Sequence, residues 1–152
     1  MFELRPASQP KSILLVDDEQ DILDILERVL QSAGYHVTTA RNGQEALQEI
    51  VIQDYDLIIT NIRMPVLDGR AFYRQLCALD SHLSQRVIFC TGDIADPATQ
   101  RFLKATGAPV LFKPFAMSAL LEAVAHNLAE ATLPLVPPLP LPQPGAVVVL
   151  AT

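Results

Sequence analysis

Five short apolar segments, each followed by a stretch with helical periodicity, constrain the fold of this chain most strongly. The strand candidates lie at residues 13–16, 37–40, 57–59, 87–90 and 110–112. Continuous apolar runs of this length are typical of parallel strands that are buried on both faces. Regular alternation of strands and helices predicts an α/β domain, with a five-stranded parallel sheet and helices on both of its faces.

The intervening helices are marked by apolar spacing and by their ends. Gly34 is a typical residue to follow the first helix, and the fourth helix is predicted to begin at Asp96 and Pro97 and to close at Gly107. Apolar residues recur at helical spacing in four of the predicted helices: Ile22, Ile25, Leu26, Val29 and Ala33 in the first, Ala46, Leu47, Ile50 and Val51 in the second, Phe72, Leu76 and Leu79 in the third, and Met117, Leu120, Leu121, Val124 and Leu128 in the fifth. The apolar residues of the second helix are expected to face inward.

Proline density separates a globular region from the two ends of the chain. Residues 1–11 form a short polar leader, and residues 12–132 contain all of the alternating segments. The stretch 133–144 holds half of the chain's 12 prolines and no charge, which excludes a helix or a central strand. We therefore predict one domain over 12–132 and a flexible tail over 133–152. Polyproline II acting as a spacer is the expected form of the tail, and a docking ligand is the alternative.

Composition excludes several functional classes. A net charge of −6 without a Lys/Arg cluster argues against direct binding to nucleic acid or to a membrane surface. Neither a signal peptide nor a transmembrane-length apolar stretch is evident. The two cysteines, Cys77 and Cys90, fit no metal motif and are expected to be buried free thiols in a reducing cytosol, so we expect a cytoplasmic protein.

Polar residues whose side chains can bind ions or take part in chemistry follow four of the predicted strands. In an open parallel sheet, the loops after the carboxyl ends of the strands build the functional site. That rule places Asp17, Asp18, Asn61, Thr91 and Lys113 on one rim. No pairing of Ser or Cys with His, and no Gly-rich phosphate loop, points to a different kind of site.

Each rim residue has a functional and a purely structural interpretation. Adjacent carboxylates such as Asp17 and Asp18 repel one another unless a cation such as Mg²⁺ is bound, although acids are also favoured at a helix N-terminus. The backbone carbonyl of Arg63 could supply a neutral metal ligand. Lys113 is a natural counter-ion for carboxylate or phosphoryl oxygens, or else a solvated lysine. Thr91 could bond to an oxygen in the site, or could satisfy the backbone of its own turn.

Taken in order, these strings resemble the receiver domain of bacterial two-component response regulators. The similarity covers residues 12–131 and rests on five strings, which are Asp17-Asp18, Met64-Pro65, Asp68-Gly69, Thr91 and Lys113-Pro114-Phe115. The resemblance implies a flavodoxin-like fold in which Asp17 and Asp18 coordinate Mg²⁺, Thr91 is the switch hydroxyl and Lys113 contacts the phosphoryl group. It implies a histidine kinase, a phosphotransfer protein or another receiver as partner. The bond between Lys113 and Pro114 can be cis or trans, and the sequence does not decide which.

Three positions depart from the family pattern. Asn61 stands where the family has the aspartate that accepts the phosphoryl group, and an amide oxygen is a poor nucleophile towards phosphorus. Val110 replaces a frequent aromatic residue, and Ala116 replaces a frequent helix cap. We therefore expect a non-enzymatic phosphorelay module that docks partners through its fourth helix, last strand and fifth helix, with weakened Mg²⁺ binding and a potential homodimer through the last two helices.

Two alternatives to this interpretation of Asn61 stay open. The first is an ordinary phosphoacceptor domain whose aspartate was replaced by engineering, which comparison with the source gene would decide. The second moves phosphorylation to Thr60 or to another residue. As the neighbour of Asn61 on a strand, Thr60 should point to the opposite face of the sheet.

Overall fold

Strands and helices alternate along the whole described part of the chain. The computed structural model describes residues 9–132, so most of the predicted leader and all of the predicted tail lie outside the described residues. The strands are β1 (Ser12–Val16), β2 (His36–Ala40), β3 (Leu57–Asn61), β4 (Val87–Thr91) and β5 (Val110–Phe112). The helices are α1 (Gln20–Ser32), α2 (Gly43–Ile52), α3 (Gly69–Leu79), α4 (Pro97–Thr106) and α5 (Met117–Thr132), with a 3₁₀ turn at Leu83–Gln85.

The five strands form one parallel sheet in the order β2-β1-β3-β4-β5. Successive residues of a strand point to opposite faces, so the sheet feeds two separate cores. Side chains of α1 and α5 pack on one face around Ile13, Ile59 and Ile88. Side chains of α2, α3 and α4 pack on the other face around Leu14, Ile58 and Phe89. The predicted fold class is confirmed.

The helix ends follow from local chemistry. Gly34 and Gly107 adopt positive φ angles of 98° and 65°, which a residue without a Cβ adopts at little cost. The Asp96 side chain accepts hydrogen bonds from the backbone N–H and the hydroxyl of Thr99, and these bonds lower the pKa of that carboxyl. Asn42 and Asp68 cap α2 and α3 in the same way, and the sequence analysis did not identify them.

One residue predicted to face inward, Val51, is exposed, and so are two other apolar residues that fit helical spacing, Ile25 and Leu79. Val51 on α2 is 76% exposed, Leu79 on α3 is 60% exposed, and α1 buries Leu23, Leu26 and Leu30 while Ile25 is 50% exposed. The expectation that Val51 faces inward is wrong, because apolar spacing identifies the face of a helix but not how far along that face the sheet extends. Both Val51 and Leu79 lie in the last turn of their helix.

The prediction of two buried thiols is half wrong. Cys90, at the centre of β4, is 3% exposed, and burial raises its pKa to about 12. Cys77 is exposed, because α3 turns Phe72 and Leu76 towards the sheet and Cys77 follows Leu76 directly. Within residues 9–132, no helix combines the length and apolar character needed to cross a membrane.

Candidate functional site

The carboxyl ends of the strands bring the predicted polar residues to one rim of the sheet. Asp17 and Lys113 directly follow β1 and β5, while Asn61 and Thr91 are the last residues of β3 and β4. Backbone bonds continue the sheet into this rim: the Lys113 N–H donates to the Thr91 carbonyl at 2.9 Å. Asp17, Asn61 and Lys113 line a common cavity with a volume of about 10 Å³, close to the minimum that one water molecule needs.

Asp17 and Lys113 form a largely buried ion pair. Lys113 Nζ lies 2.9 Å from Asp17 Oδ2, with the two side chains 22% and 5% exposed. The other carboxylate oxygen, Oδ1, accepts a hydrogen bond from the Glu19 N–H at 3.0 Å. Asp18 lies beside it and is half-buried. A carboxylate with these two partners is electrostatically satisfied by the protein alone. The Lys113–Pro114 peptide bond is cis.

The Asn61 amide is engaged by its own loop. Its Nδ2 donates a hydrogen bond to the backbone carbonyl of Arg63 at 3.0 Å. That carbonyl is the group considered as a neutral metal ligand. An ionised aspartate at position 61 accepts hydrogen bonds only and could not make this contact. Asn61 therefore brings no charge to the rim, and its amide occupies the Arg63 carbonyl oxygen.

Thr91 and Asp93 form a tight turn after β4. The Thr91 hydroxyl oxygen accepts a hydrogen bond from the Asp93 N–H at 3.0 Å, and Thr91 itself is buried. This contact matches the structural interpretation, in which the threonine satisfies the backbone of its own turn. It leaves the hydroxyl proton free to donate to a different oxygen.

An ion pair that sequence reasoning missed joins two loops of the rim. Arg63 Nη2 lies 2.5 Å from Asp93 Oδ2, with the side chains 71% and 28% exposed. Arg63 follows β3 and Asp93 follows β4, so the pair links the loop after Asn61 to the loop after Thr91. Exposed pairs of this kind contribute about 0–1 kcal/mol. No sequence motif relates the two positions, so only the fold could reveal the contact.

Gly69 lets the loop after Asn61 fold back onto the strand. A Cβ at this position would lie 2.4 Å from the Asn61 carbonyl oxygen and 2.8 Å from the Ile62 Cα. The Gly69 N–H donates to the Ile62 carbonyl at 2.7 Å. The start of α3 is therefore pressed against the end of β3, which fixes the backbone that carries Asn61.

Val66, in the same loop, has a φ angle of 70°, which is an unfavourable conformation for a β-branched residue. Because its side chain is 79% exposed, few contacts depend on it. We expect Val66→Gly to raise the free energy of unfolding by about 1 kcal/mol, measured by urea denaturation. The control is Val51→Gly, at an equally exposed valine in α2, which should lower it by a similar amount. Equal destabilisation by both variants would show that Val66 carries no strain.

The rim does not assemble a full carboxylate cluster. Among residues 9–132, no group of three or more His, Cys, Asp and Glu side chains is arranged to hold a metal ion. Asp17 and Asp18 supply two carboxylates, and one of these is already paired with Lys113. All three histidines, His36, His82 and His126, are exposed and lie away from this rim.

Similarity to known proteins identifies the class to which this fold and rim belong. Residues 13–125 match the response regulator receiver domain, so the chain belongs to that family. Receiver domains are signalling modules of two-component systems, generally without enzymatic activity of their own. They bind Mg²⁺ and interact with histidine kinases and phosphotransfer proteins.

Two curated relatives illustrate the match. The response regulator receiver protein CpdR of Brucella abortus is 33% identical over 121 residues, which cover 80% of this chain and 99% of that protein. The transcriptional regulatory protein PrrA of Mycobacterium leprae is 36% identical over 117 residues, which cover 77% of this chain and 49% of that protein. The chain thus spans about half of the length of PrrA.

Solved structures agree with the sequence match. The chemotaxis response regulator CheY4 of Vibrio cholerae superimposes with a TM-score of 0.70 at 31% identity, over 78% of this chain and 99% of that one. TrrA of Thermotoga maritima, in complex with Mg²⁺ and BeF, gives 0.68 at 30% identity over 77% and 98%. The beryllofluoride-activated NtrC4 receiver domain dimer gives 0.71 at 30% identity over 80% and 98%.

Proposed function

We propose that this receiver domain acts by docking partner proteins and does not take up a phosphoryl group at Asn61. The observation that carries the proposal is the amide itself, since its Nδ2 donates to the Arg63 carbonyl in the place where the family has an ionised nucleophile. Aspartyl phosphate forms when a carboxylate oxygen attacks phosphorus, and the uncharged amide oxygen of Asn61 is a poor nucleophile for that reaction. The covalent step is lost while the surrounding fold is retained.

The other rim residues would have the roles that the family assigns to them, but without a phosphoryl group bound at position 61. Thr91 would be the switch hydroxyl, and Lys113 would contact a phosphoryl oxygen. With no acceptor at position 61, Lys113 instead has a permanent partner in Asp17 at 2.9 Å. This pairing supports a rim that rests in one electrostatic state.

Mg²⁺ would be held by Asp17, Asp18 and the Arg63 backbone carbonyl, where it would supply charge neutralisation for phosphoryl oxygens. These groups fit the ion only in part. Asp17 shares its charge with Lys113, and the Arg63 carbonyl already accepts a hydrogen bond from Asn61. We therefore propose weaker Mg²⁺ binding than a receiver with three carboxylates would have.

The docking partner is proposed to be a histidine kinase, a phosphotransfer protein or another receiver. The proposed contact face comprises α4, β5 and α5, and a homodimer through α4 and α5 is one form that it could take. Val110 is 2% exposed on β5, so this face lacks the aromatic side chain that often relays phosphorylation in the family. The net charge of −6 gives no support for direct binding to nucleic acid or to a membrane surface.

A phosphodonor assay tests the proposed loss of the covalent step. After incubation with acetyl phosphate and Mg²⁺, intact-mass spectrometry should show no acid-labile phosphoryl group on the chain. The Asn61→Asp variant, treated identically, should gain one, because the remaining rim residues are in place. An acid-labile phosphoryl group on the unsubstituted chain would refute the proposal. A phosphorylated Asn61→Asp variant is also expected if the aspartate of an ordinary receiver was replaced by engineering. Comparison with the source gene decides between these two explanations.

The alternative acceptor, Thr60, has little physical support. Its side chain is fully buried, and its hydroxyl donates to the Asn61 backbone carbonyl at 2.9 Å. A kinase could not reach this oxygen without opening the sheet. Peptide mapping after incubation with a partner kinase should therefore find no phosphothreonine at position 60.

Asn61→Asp should also lower the stability of the metal-free fold by about 1–2 kcal/mol. The variant adds a third carboxylate to the rim and turns the donor on the Arg63 carbonyl into an acceptor. Thermal unfolding in EDTA at neutral pH measures the effect. Asn42→Asp is the matched control, because Asn42 caps α2 through an acceptor oxygen that aspartate supplies equally well. A higher melting temperature for Asn61→Asp than for the unsubstituted chain would contradict this prediction.

A further inference from the structure

A group of apolar side chains without a described partner lies at the ends of α2 and α3. Val51 and Ile52 are 76% and 71% exposed, and Leu79 is 60% exposed. The two helices pack against each other and residues at both of their ends line one cavity, so these three residues, here named the α2–α3 apolar patch, lie at the same edge of the sheet. Neighbouring exposed apolar side chains of this size mark a site of interaction more often than isolated ones do.

A cavity of about 170 Å³ lies between the same helix ends. Its apolar lining comes from Ile50 and Leu83, and its polar lining consists of Gln53, Asp54, Tyr55, Asp80, His82 and Arg86. The Tyr55 hydroxyl accepts from Gln53 Nε2 at 2.6 Å and donates to Glu49 at 3.1 Å, so the ring is held in place from both sides. The Tyr55 ring is itself only 6% exposed, so the cavity offers a docked segment mainly Ile50, Leu83 and the polar groups around them.

The chain itself supplies such a segment at the same edge of the sheet. The cavity is lined by residues that follow α2 and α3 and precede β3 and β4, which places it at the amino-terminal edge of the strands. Helix α5 starts at the opposite edge, directly after β5, and packs along α1 and β3. It therefore runs back across the sheet and ends at Thr132, on the edge where the cavity lies.

The 20 residues that follow Thr132 match the patch in chemistry and in reach. Residues 133–152 contain no charged side chain, and 133–144 combine six prolines with four leucines, one valine and one glutamine. Twelve residues in polyproline II span about 37 Å. A domain of this size has a radius of gyration of about 14 Å, so the segment is long enough to pass from the end of α5 to the other face of the sheet.

We propose that the proline-rich tail of this chain, residues 133–152, docks on the α2–α3 apolar patch and the cavity beside Tyr55 of the same molecule. The uncharged tail and the exposed side chains Val51, Ile52 and Leu79 cover one another and remove apolar surface from water. The docked tail lies at the opposite edge of the sheet from Asn61, so this contact does not depend on the function proposed for the rim.

A spin label on the tail tests this contact in the 152-residue chain. The label is attached to Ala146→Cys in a Cys77→Ser background, where Cys90 is too buried to react. Amide spectra of the ¹⁵N-labelled protein should lose the signals of Val51, Ile52 and Leu79, and reduction of the nitroxide should restore them. Adding Val51→Ser with Ile52→Ser should remove the effect. The matched control is Ile25→Ser, which changes an exposed residue on the opposite face of the sheet and should leave the effect intact.

The outcomes separate the proposed occupant from the others. Unchanged patch signals in the labelled chain, or equal losses with and without Val51→Ser and Ile52→Ser, would overturn the proposal. Val51 and Ile52 are already exposed, so the double variant should fold normally. Unchanged amide signals of the strands will show that it does. A mixture of spin-labelled ¹⁴N chain with ¹⁵N chain that carries no spin label should show no loss of the patch amide signals. Loss in that mixture would assign the patch to the tail of a second copy and overturn the intramolecular contact.

Discussion

Asn61→Asp should tighten Mg²⁺ binding by about 10- to 1,000-fold. Two unit charges about 4 Å apart, at an effective dielectric constant of about 20, interact by about 4 kcal/mol, and the double charge of Mg²⁺ raises this to about 8 kcal/mol before desolvation is subtracted. The variant also frees the Arg63 carbonyl, which accepts the Asn61 amide hydrogen bond in the present structure. Because 1.4 kcal/mol corresponds to a factor of ten, the upper end of the range is about 4 kcal/mol, which assumes that desolvation cancels about half of the Coulomb energy.

Isothermal titration calorimetry measures this difference, and it requires no tryptophan, which the chain lacks. The matched control is Gln31→Glu, which adds one negative charge near the end of α1, at the opposite edge of the sheet. It should leave the Mg²⁺ dissociation constant nearly unchanged. Equal affinities for the unsubstituted chain and for Asn61→Asp would show that the amide is not what limits metal binding.

Gly69→Ala should lower the free energy of unfolding by about 3 kcal/mol, although alanine normally stabilises a helix relative to glycine by about 1 kcal/mol. The sign reverses because the added Cβ would meet backbone atoms, at 2.4 Å from the Asn61 oxygen and 2.8 Å from the Ile62 Cα. Backbone cannot rotate away as a side chain can. Relief therefore requires α3 to move away from β3, which breaks the bond from the Gly69 N–H to the Ile62 carbonyl.

Urea denaturation provides the measurement, and Gly92→Ala provides the control. A Cβ at Gly92 would have its nearest contact with the Lys113 Cβ at 3.8 Å, an ordinary van der Waals distance. That variant should unfold at nearly the same urea concentration as the unsubstituted chain. If Gly69→Ala were as stable as Gly92→Ala, the close approach of α3 to the end of β3 would not hold in solution.

The sequence predicts the sheet well because burial on both faces leaves a direct signal. Strands such as β4 read as continuous apolar runs, and the rule for parallel sheets then places Asn61 and Thr91 at one edge. The buried residues of the helices are harder to predict, since the apolar residues of a helix cover a wider arc than the one that contacts the sheet. Ile25 and Val51 fit the helical spacing and are nevertheless exposed.

The contacts within the rim could not be predicted from residue types. The bond from Asn61 to the Arg63 carbonyl depends on the conformation of the loop after β3, and the ion pair of Arg63 with Asp93 depends on how that loop meets the loop after β4. In the sequence, Gly69 was notable only as part of the Asp68-Gly69 string, whereas its close approach to the Asn61 backbone is a consequence of the tertiary fold. Residue types thus identified which groups lie on the rim, and the fold determined how they are paired.

Titration of the unsubstituted chain with beryllofluoride and Mg²⁺, followed by amide NMR, tests the loss of the phosphorylation switch most directly. Beryllofluoride mimics a phosphoryl group only when a carboxylate oxygen coordinates it, so the amide of Asn61 should not retain it. We expect no change at Thr91, Lys113 or the α4–β5–α5 face beyond that caused by Mg²⁺ alone, and clear shifts there in Asn61→Asp. Beryllofluoride-dependent shifts of Thr91 and α4 in the unsubstituted chain would contradict a receiver that works without phosphorylation at Asn61.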